Sequence, residues 1–585
     1  MKRAELTPVL GGGALLLAVA GVAFGFSSYW LFLATSAVLG ALIALSVGVV
    51  HGRAGMVTLC PMAFAGIGAW TTGWLGMHTG LPFVVLVLVG GLAAVPVGVL
   101  IGLPALRLRG VNLAVATLAF GGAVAVMVFD KGFPGAAART PVARPSFASS
   151  ESGFFLLCVL VLVLVAVALS AASRRSTGAR WTAVRDSERA TAALGYSVTT
   201  TKLTAFATSA FIAGLGGALM AGQLGILSGV GFQPMASIVV FTAAVAFGSS
   251  YVEGALLAGV ATTVVPELLR QLGLPQDVAP GLFALAALQA LAAGSEGVAG
   301  QLRAALRARH RKRRTMYAAE TAPEPAGEPV PRPRPPIPEE PVLRATGVSV
   351  RYGTVTALDS VDLTIRAGSV HGLIGPNGAG KSTLIDVLSG FVAPTSGRLL
   401  LRETPMDGVP PHLRARQGIR RSFQQGRVNP QLTIGQYLTL SGRGLADRSL
   451  VERLIRAFGC PPAGTRVADV DVGTRRLVEV AATLAAQPTV VLLDEPAAGL
   501  SAEESAGLGR AIAGIPEHFG CSVLLVEHDI ELVASCCDEA TALDFGRVIA
   551  NGTPADVLGD PAVARAYLGA DGGSEPRRTI MEVHS

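Results

Sequence analysis

The stretch "GPNGAGKST", residues 375–383, decides the fold of the second half of this 585-residue chain. It matches the pattern G-x-x-x-x-G-K-[ST]. It follows the apolar stretch "SVHGLI" (369–374) and continues into "STLIDVLSG" (382–390), which we predict to be helical. Strand, glycine-rich loop and helix in this order are the context of a phosphate-binding loop, because the glycines let backbone N–H groups close around phosphate oxygens. Lys381 is the only lysine after Lys312, in a chain that otherwise uses arginine. We conclude that a compact ammonium is required there.

The phosphate loop predicts a site for ATP and Mg²⁺. Lys381 would reach the β- and γ-phosphates, and the Ser382 hydroxyl would bind the metal. The predicted nucleotide-binding residues of the loop are Gly375, Asn377, Gly378, Gly380, Lys381, Ser382 and Thr383.

Two more apolar stretches, which we also predict to be strands, end in side chains that suit hydrolysis. "TVVLLDEP" (489–496) ends in two carboxylates, of which Asp494 would hold Mg²⁺ and Glu495 would act as general base on the attacking water. "SVLLVEHD" (522–529) places His528 where it can sense the γ-phosphate. These features predict an α/β ATPase domain with Glu495 and His528 as catalytic residues.

The first half of the chain has the composition of a membrane protein. Hydrophobic residues make up 51% of the whole chain and charged residues 15%, whereas soluble proteins carry about 25% charged residues. The mean hydropathy is +0.53. Apolar stretches of about 20 residues, enough for a helix to cross a bilayer, recur up to residue 298. We predict an all-α polytopic bundle of about ten spans or re-entrant segments. The small residues of 90–98 and 214–219 should let its helices approach closely. The predicted segments are 8–26, 28–50, 56–78, 82–105, 111–129, 153–173, 202–224, 235–250, 253–271 and 278–298.

Basic residues favour a cytoplasmic N-terminus. If ten segments alternate in direction, one side carries Arg53, Arg107, Arg109, the loop 174–202 and the cluster "RAALRARHRKRR" (303–314). Lysine and arginine gather on the cytoplasmic side of membrane proteins, and an even count returns the chain to that side. We interpret the cluster as an anchor at the lipid surface rather than a nucleic-acid patch, so no nucleic-acid partner is predicted.

A proline-rich stretch separates the two halves. Residues 315–341 hold nine prolines, a composition that gives an extended, semi-rigid spacer rather than a packed core. The predicted domains are a membrane domain (1–302), a linker (303–342), a nucleotide-binding domain (343–570) and a tail (571–585).

The second half resembles the ATPase subunit of ABC transporters over about residues 343–570. The stretches "DEPAAGL" (494–500) and "LLVEHDIELV" (524–533) are especially similar to the ATPases of branched-chain amino acid importers. The resemblance implies that Tyr352 stacks on adenine. It also implies that Gln424, in "RSFQQG", contacts Mg²⁺ and the attacking water and meets the membrane domain.

The first half resembles the permease of the same importers. The matching stretches are "GRAGMVTLCPMAFAGIGAW" (52–70), "LPALRLRGVNLAVATLAFG" (103–121) and "RDSERATAALGYSVTTTKLTAFATSAFIAGLGGAL" (185–219). The last stretch begins with what the resemblance implies is a coupling helix, which seats in the ATPase near Gln424. Its predicted residues are Arg185, Asp186, Glu188, Leu194 and Gly195. A permease and an ATPase are thus joined in one polypeptide.

One motif departs from the family pattern. ABC ATPases work in pairs, and each ATP meets a signature, usually L-S-G-G-Q, from the partner. Here the corresponding stretch is "VDVGT" (470–474), in which Gly473 is kept but Asp471 replaces the serine. Like charges about 4 Å apart cost roughly 1–4 kcal/mol, so an aspartate facing the γ-phosphate would impair that site. We therefore expect a heterodimer with a second ATPase subunit.

The resemblance implies an ATP-driven importer subunit in the cell membrane, with the ATPase domain in the cytoplasm. Its expected partners are a second permease subunit, a second ATPase subunit, membrane lipid and a periplasmic or lipid-anchored solute-binding protein. Branched-chain or related small amphipathic amino acids are the expected substrates, and urea, amides or other small solutes are the alternative. A membrane-anchored regulatory ATPase without transport, or half of an exporter, are the competing interpretations.

Overall fold

The computed structural model describes residues 19–130, 132–134, 141–292, 297–305, 338–423 and 432–568. It divides into two units. The first comprises Met1–Arg185 and Val198–Pro323, and the second comprises Asp186–Ser197 and Glu324–Ser585. The short segment Asp186–Ser197 therefore belongs with the second unit, although the sequence around it belongs to the first. Most of the predicted linker and the whole predicted tail lie outside the described residues.

The first unit is helical, as the apolar stretches predict. The helices are numbered in chain order, and the short α7 among them belongs to the second unit. They are α1 (Ser28–Val47), α2 (Pro61–His78), α3 (Phe83–Gly102), α4 (Gly110–Val124), α5 (Glu151–Arg174), α6 (Ser176–Asp186), α7 (Glu188–Ala193), α8 (Val198–Leu224), α9 (Pro234–Phe247), α10 (Val252–Gln271) and α11 (Val278–Ala292). Wider helical turns extend α1 through Gly48–Arg53 and α4 through Ala125–Phe129.

Nine of the ten predicted spans or re-entrant segments coincide with described helices, although not all of these helices are long and apolar enough to cross a membrane. In the described part of the chain, six helices are long and apolar enough to cross a membrane, or seven if α11 and Gly297–Ala305, bent by 49°, form one span. Helix α9 has 14 residues and measures about 21 Å, which is short of the roughly 30 Å of a bilayer core. Segment 8–26 lies mostly outside the described residues.

Helix α2 shows why hydropathy alone misjudges a bundle. It has 18 residues and most of them are buried, yet it is not among the six apolar spans. Its sequence carries glycine, threonine and tryptophan, which suit contact with other helices better than contact with lipid.

Small residues let the helices approach closely, as predicted for 90–98 and 214–219. A Cβ atom on Gly217 of α8 would lie 1.8 Å from the Ala65 carbonyl oxygen of α2, and one on Gly68 would lie 2.2 Å from the Gly214 carbonyl oxygen. On α3, a Cβ atom on Gly90 would lie 2.8 Å from the Gly68 carbonyl oxygen. Any side chain at these crossings would push the backbones apart, so the prediction of close packing is confirmed.

The second unit contains two β-sheets. A four-stranded antiparallel sheet has the order β2-β1-β4-β5, and a six-stranded sheet has the order β10-β9-β3-β8-β7-β6. The strands are β1 (Pro341–Tyr352), β2 (Val355–Arg366), β3 (Val370–Ile374), β4 (Ser396–Leu401), β5 (Thr404–Pro405), β6 (Ile419–Arg421), β7 (Val490–Asp494), β8 (Ser522–Val526), β9 (Glu539–Asp544) and β10 (Arg547–Gly552).

Helices surround the larger sheet. They are α12 (Lys381–Leu388), α13 (Pro411–Gln417), α14 (Ile434–Gly442), α15 (Arg448–Ala457), α16 (Val472–Leu484), α17 (Ala502–Ala513), α18 (Ile515–Phe519), α19 (Ile530–Cys536), α20 (Pro554–Gly559) and α21 (Pro561–Leu568).

The three apolar stretches predicted to be strands are the buried strands β3, β7 and β8. Every residue of these strands is buried, as continuous apolar runs in a parallel sheet require. Strand β8 pairs in parallel with β3 on one side and β7 on the other, with Leu524 opposite both His371 and Leu492. Since the three strands run in the same direction, their carboxyl ends meet at one edge of the sheet.

Candidate nucleotide-binding site

The phosphate loop follows β3 at this edge. Three glycines adopt positive φ angles: +149° at Gly375, +86° at Gly378 and +104° at Gly380. A Cβ atom on Gly375 would lie 2.2 Å from the Leu543 carbonyl oxygen, so the loop has no room for a side chain there. Gly380 precedes α12, whose first N–H groups have no partner within the helix and can face an anion.

Lys381 is buried at the start of α12. Its Nζ donates to the carbonyl oxygens of Gly375 at 2.5 Å and Pro376 at 3.0 Å. Burial lowers the pKa of Lys381, and the negative charges of Glu495 and Asp494 act in the opposite direction. The ammonium thus sits inside the loop and in the field of both strand-end carboxylates. Of the other loop residues, Asn377, Gly378 and Ser382 are exposed.

Asp494 and Glu495 lie at the end of β7. Asp494 is buried, and its N–H donates to the Ser422 Oγ at 3.2 Å. Glu495 has a φ of +45° and donates its N–H to the Val526 carbonyl oxygen at 2.9 Å. Backbone strain of this kind in a residue other than glycine concentrates at functional sites. The Lys381 loop and this acidic pair therefore occupy the same edge.

The donors gathered here suit a hard cation. A serine hydroxyl and a carboxylate are oxygen ligands of the kind that Mg²⁺ prefers, with phosphate oxygens and water completing its shell. In the described part of the chain no three His, Cys, Asp or Glu residues cluster to hold a metal on their own. A metal at this edge would depend on the nucleotide for part of its coordination.

His528 is largely exposed. Its side chain has a relative exposure of 62%, and its Nδ1 lies 3.6 Å from Oε2 of Glu527. Tyr352 lies at the end of β1 and is also exposed, at 53%. Gln424 lies outside the described residues.

Glu527 is a buried carboxylate that the sequence analysis missed. Its side chain is fully buried and accepts hydrogen bonds from the N–H groups of Ala497 at 2.9 Å and His528 at 3.2 Å. Burial raises its pKa, and these two hydrogen bonds oppose the rise. Glu527 lies just after β8, and its hydrogen bond to Ala497 holds the loop that contains Glu495 against the end of that strand. A charged residue ending an otherwise apolar strand was the signal that could have found it.

Replacement of Glu527 should change how stability depends on pH. A raised folded-state pKa means that the carboxyl stabilises the fold fully below its unfolded pKa, about 4.3, and loses this contribution as pH rises through the folded pKa. Glu527→Gln imitates the protonated form, so its thermal stability relative to wild type should increase with pH over that window. Glu527→Ala removes the acceptor of the Ala497 N–H and should cost about 1–3 kcal/mol.

The measurement is thermal unfolding of the full chain in detergent between pH 5 and pH 8. The exposed Glu517→Gln serves as the matched control, with no pH-dependent difference expected. A difference between Glu527→Gln and wild type that stays constant over this range would contradict the assignment.

Asp471 caps a helix. Its carboxylate accepts from the Thr474 N–H at 2.7 Å and from the Thr474 Oγ1 at 2.8 Å, at the N-terminus of α16. These two hydrogen bonds lower its pKa. Asp471 is exposed, whereas Gly473 in the same turn is buried. The aspartate therefore performs the capping that a serine would perform at the same position.

The segment Asp186–Ser197 packs within the second unit. Tyr196 donates its hydroxyl to the Leu440 carbonyl oxygen at 2.7 Å, in a buried contact. Beyond α7, the Gly195 carbonyl oxygen accepts from Arg443 and, at 3.0 Å, from Arg416. Arg420 donates to the Ala193 carbonyl oxygen at 3.4 Å. Arginines thus satisfy carbonyl groups that the end of a helix leaves without partners.

The predicted coupling residues fall in two units. Asp186, Glu188, Leu194 and Gly195 belong to the segment of the second unit. Arg185 belongs to the first, where its guanidinium donates to the Gly52 carbonyl oxygen at 2.6 Å.

The fold and this edge define an ABC-type ATPase joined to a polytopic membrane domain. Residues 358–498 match the family described as "ABC transporter", residues 13–291 match "Branched-chain amino acid transport system / permease component", and residues 547–573 match "Branched-chain amino acid ATP-binding cassette transporter". The chain belongs to the branched-chain amino acid ABC transporter family, with its permease and ATPase fused in one polypeptide.

Relatives in this family align with the second half. The high-affinity branched-chain amino acid transport ATP-binding protein LivG of Salmonella typhimurium is 34% identical over 251 residues, which cover 39% of this chain and 98% of LivG. BraF of Pseudomonas aeruginosa, which has the same description, is 33% identical over 254 residues with the same coverage. A crystal structure of an ATP-binding cassette of an ABC transporter in its ADP conformation is 25% identical, covers 39% of this chain and 99% of its own, and has a TM-score of 0.37.

The resemblance seen in the sequence is confirmed for both halves. The chain is a multi-pass membrane protein with a nucleotide-binding domain, and it is an ABC ATPase, a class that hydrolyses ATP to drive transport. Its ATPase domain is cytoplasmic if the chain works as an importer.

Proposed function

We propose that this chain is the fused permease and ATPase subunit of an ATP-driven importer of branched-chain amino acids. The observation that carries the proposal is the meeting of Lys381, Asp494 and Glu495 at one sheet edge, in a chain whose first half matches the permease family. The names of LivG and BraF favour leucine, isoleucine and valine over urea, amides or other small solutes. We place the membrane domain at 1–302, the linker at 303–342, the nucleotide-binding domain at 343–570 and the tail at 571–585.

The proposed chemistry is Mg²⁺-assisted hydrolysis of ATP. Mg²⁺ would neutralise charge on the β- and γ-phosphates, held by Ser382, Asp494 and Gln424. The backbone N–H groups of the loop bind the phosphates, and Lys381 exchanges its carbonyl partners for phosphate oxygens. Glu495 accepts the proton of the attacking water, and His528 contacts the γ-phosphate. Tyr352 stacks on adenine.

The proposed transport step uses the segment Asp186–Ser197. Its contacts with Arg416, Arg443 and Leu440 support a role as the coupling helix, because a rigid element held by several hydrogen bonds can transmit a displacement. Closing and reopening of paired ATPase domains would move this segment and so alternate access through the helices that precede and follow it.

We propose four partners. A second permease subunit and a second ATPase subunit complete the transporter, a solute-binding protein outside the membrane delivers the substrate, and lipid surrounds the apolar helices. A heterodimer of ATPase domains is favoured because Asp471 would place a carboxylate opposite the γ-phosphate of a partner's ATP.

Substitution of Asp471 tests the heterodimer. Asp471→Ser keeps a side chain that can cap α16 and removes the charge. If the partner supplies the effective signature, Asp471→Ser should raise ATP hydrolysis by the purified chain alone about tenfold, since about 1.4 kcal/mol of repulsion is relieved. Hydrolysis by the complete transporter should change far less, because one of its two sites already has a good signature.

Asp471→Asn, which caps the helix and carries no charge, is the matched control and should behave like Asp471→Ser. The heterodimer is excluded if the wild-type chain forms a two-fold dimer with full, transport-coupled ATPase activity.

Uptake into proteoliposomes tests the function as a whole. The chain is reconstituted with its partner subunits, ATP is enclosed on the ATPase side, and the solute-binding protein is supplied on the other. Accumulation of radiolabelled leucine, isoleucine or valine that requires both ATP and the solute-binding protein is the expected result. Accumulation of urea or acetamide instead would change the substrate class, and substrate-independent hydrolysis without uptake would favour a regulatory ATPase.

A further inference from the structure

Four charged side chains of the second unit form a continuous series. Arg189 of α7 contacts Asp386 of α12 through NH2 and Oδ2 at 2.7 Å. The other oxygen of Asp386, Oδ1, accepts from NH1 of Arg421 at the end of β6. NH2 of Arg421 lies 2.8 Å from Oδ2 of Asp494. The series links the segment Asp186–Ser197 to the carboxylate that ends β7.

The centre of this series is shielded from water. The side chain of Arg421 is 4% exposed and that of Asp494 is 10% exposed, whereas that of Arg189 is 54% exposed. Ion pairs are weakly screened when buried and strongly screened at the surface. The buried ion pair between Arg421 and Asp494 is therefore the stronger of the two. The ion pair between Arg189 and Asp386 is more exposed to solvent and is the one that changes in its surroundings can weaken.

Packing fixes the orientation of Arg421. Its guanidinium carbon lies 4.8 Å from the centre of the Phe423 ring, and NH1 also donates to the Ser389 Oγ at 3.0 Å. Arg189 lies 4.8 Å from the centre of the Phe391 ring, which in turn meets Phe423 edge to face, with ring centres 5.9 Å apart. A planar guanidinium suits this position because it can pair with two carboxylates while stacking on a ring, which an ammonium cannot do.

We propose that Arg421 is a positioning residue for Asp494, and that Arg189 modulates it through their shared partner Asp386. The inference rests on the proposed role of Asp494 as a Mg²⁺ ligand. By holding Oδ2, Arg421 sets the plane in which the carboxylate meets the metal, in the manner of the outer partners that orient metal ligands. Asp386 holds Arg421 in place and divides its charge between two guanidinium groups. Displacement of the segment Asp186–Ser197 removes the Arg189 guanidinium from Asp386. The strength of the ion pair between Asp386 and Arg421 then changes.

The test measures metal affinity directly. The full chain in detergent is loaded with ATP, and Mn²⁺ binding is followed by electron paramagnetic resonance, alongside the Mg²⁺ concentration that gives half-maximal hydrolysis. Arg421→Lys keeps the charge and loses the two-sided fork. It should weaken Mn²⁺ binding and raise the Mg²⁺ requirement about tenfold or more, while ATP binding without metal stays unchanged.

The link to the segment is tested with a double-mutant cycle. Arg189→Gln should raise the Mg²⁺ requirement by a smaller factor, about threefold, and should have no further effect in the Arg421→Lys background, because both act through one carboxylate. Asp386→Asn keeps the shape of the side chain and should resemble Arg421→Lys, which provides a second route if Arg421→Lys fails to fold. Arg448→Lys, in an exposed pair with Glu452, is the matched control.

Two outcomes overturn the inference. One is a folded Arg421→Lys or Asp386→Asn protein with wild-type Mn²⁺ affinity, and the other is an Arg189→Gln effect that adds fully to that of Arg421→Lys. Failure of the proposed function is distinct from both, because it would show as a reconstituted transporter that accumulates no leucine, isoleucine or valine in the presence of ATP and the solute-binding protein. The Mn²⁺ measurement still decides the inference in that case.

Discussion

Glu495→Gln is expected to leave ATP binding intact and to slow hydrolysis by about 10²–10⁴-fold, the usual contribution of a positioned general base. Glutamine has the shape of glutamate but cannot accept a proton from water. The backbone conformation at Glu495 should be retained, because the hydrogen bond from its N–H group to the Val526 carbonyl oxygen does not involve the side chain. The measurement is single-turnover hydrolysis of radiolabelled ATP together with filter binding of nucleotide, and it should show occupied, stalled sites.

Glu503→Gln provides the matched control, since Glu503 lies exposed in the first turn of α17. Its hydrolysis rate should equal that of wild type. A Glu495→Gln protein that turns over ATP at the wild-type rate would refute the role of Glu495 as the base, and the buried Glu527 nearby would then be the next carboxylate to test.

Lys381→Ala should abolish nucleotide-driven transport and reduce ATP hydrolysis by at least about 10²-fold, the loss typical of removing one preorganised charged or hydrogen-bonding group from a transition state. The substitution removes the buried ammonium that the loop holds between the Gly375 and Pro376 carbonyl groups. Lys381→Arg should fail as well, because the guanidinium is larger and planar and does not fit the loop. Both variants are measured by ATP hydrolysis and by uptake in proteoliposomes.

Lys381→Met separates charge from packing. Methionine keeps an unbranched apolar stem of similar length, so the variant should be as stable as wild type and as inactive as Lys381→Ala. Measurable transport by Lys381→Met would show that the ammonium is dispensable, and it would contradict the assignment of Lys381 to the nucleotide-binding site.

The elements of the ATPase site could be predicted because their signals are local. Three short apolar runs bounded by glycine or by charged residues indicated β3, β7 and β8, and the residues just after each run indicated the site. Arg421 and Glu527 escaped prediction for a physical reason. Their importance comes from partners far along the chain, Asp386 and Asp494 for Arg421 and Ala497 for Glu527. The sequence marks Glu527 only as a charged residue at the end of an apolar strand, and it marks none of these pairings.

The membrane half was predictable as a set of helices, but not in which of them are long and apolar enough to cross the bilayer. Apolar stretches correctly indicated a helical bundle, because lipid requires apolar surface and internally paired backbone groups. Helices such as α2 face mostly protein, so their sequences do not need to present apolar side chains to lipid. Helices α9 and α11 are apolar but short. Hydropathy therefore indicates where helices occur better than it indicates which of them cross the bilayer.

The assignment of Asp186–Ser197 to the second unit has a consequence for tolerance to mutation. The chain leaves the first unit at Arg185 and re-enters it at Val198, and the residues that bind the intervening segment, among them Arg416 and Arg443, belong to the same polypeptide. Intramolecular association of this kind raises the effective concentration of each partner around the other, provided that the connection can span the distance between them. Single substitutions at Arg416, Arg443 or Tyr196 should thus be buffered in a way that separate subunits, which must find each other by diffusion at cellular abundance, are not.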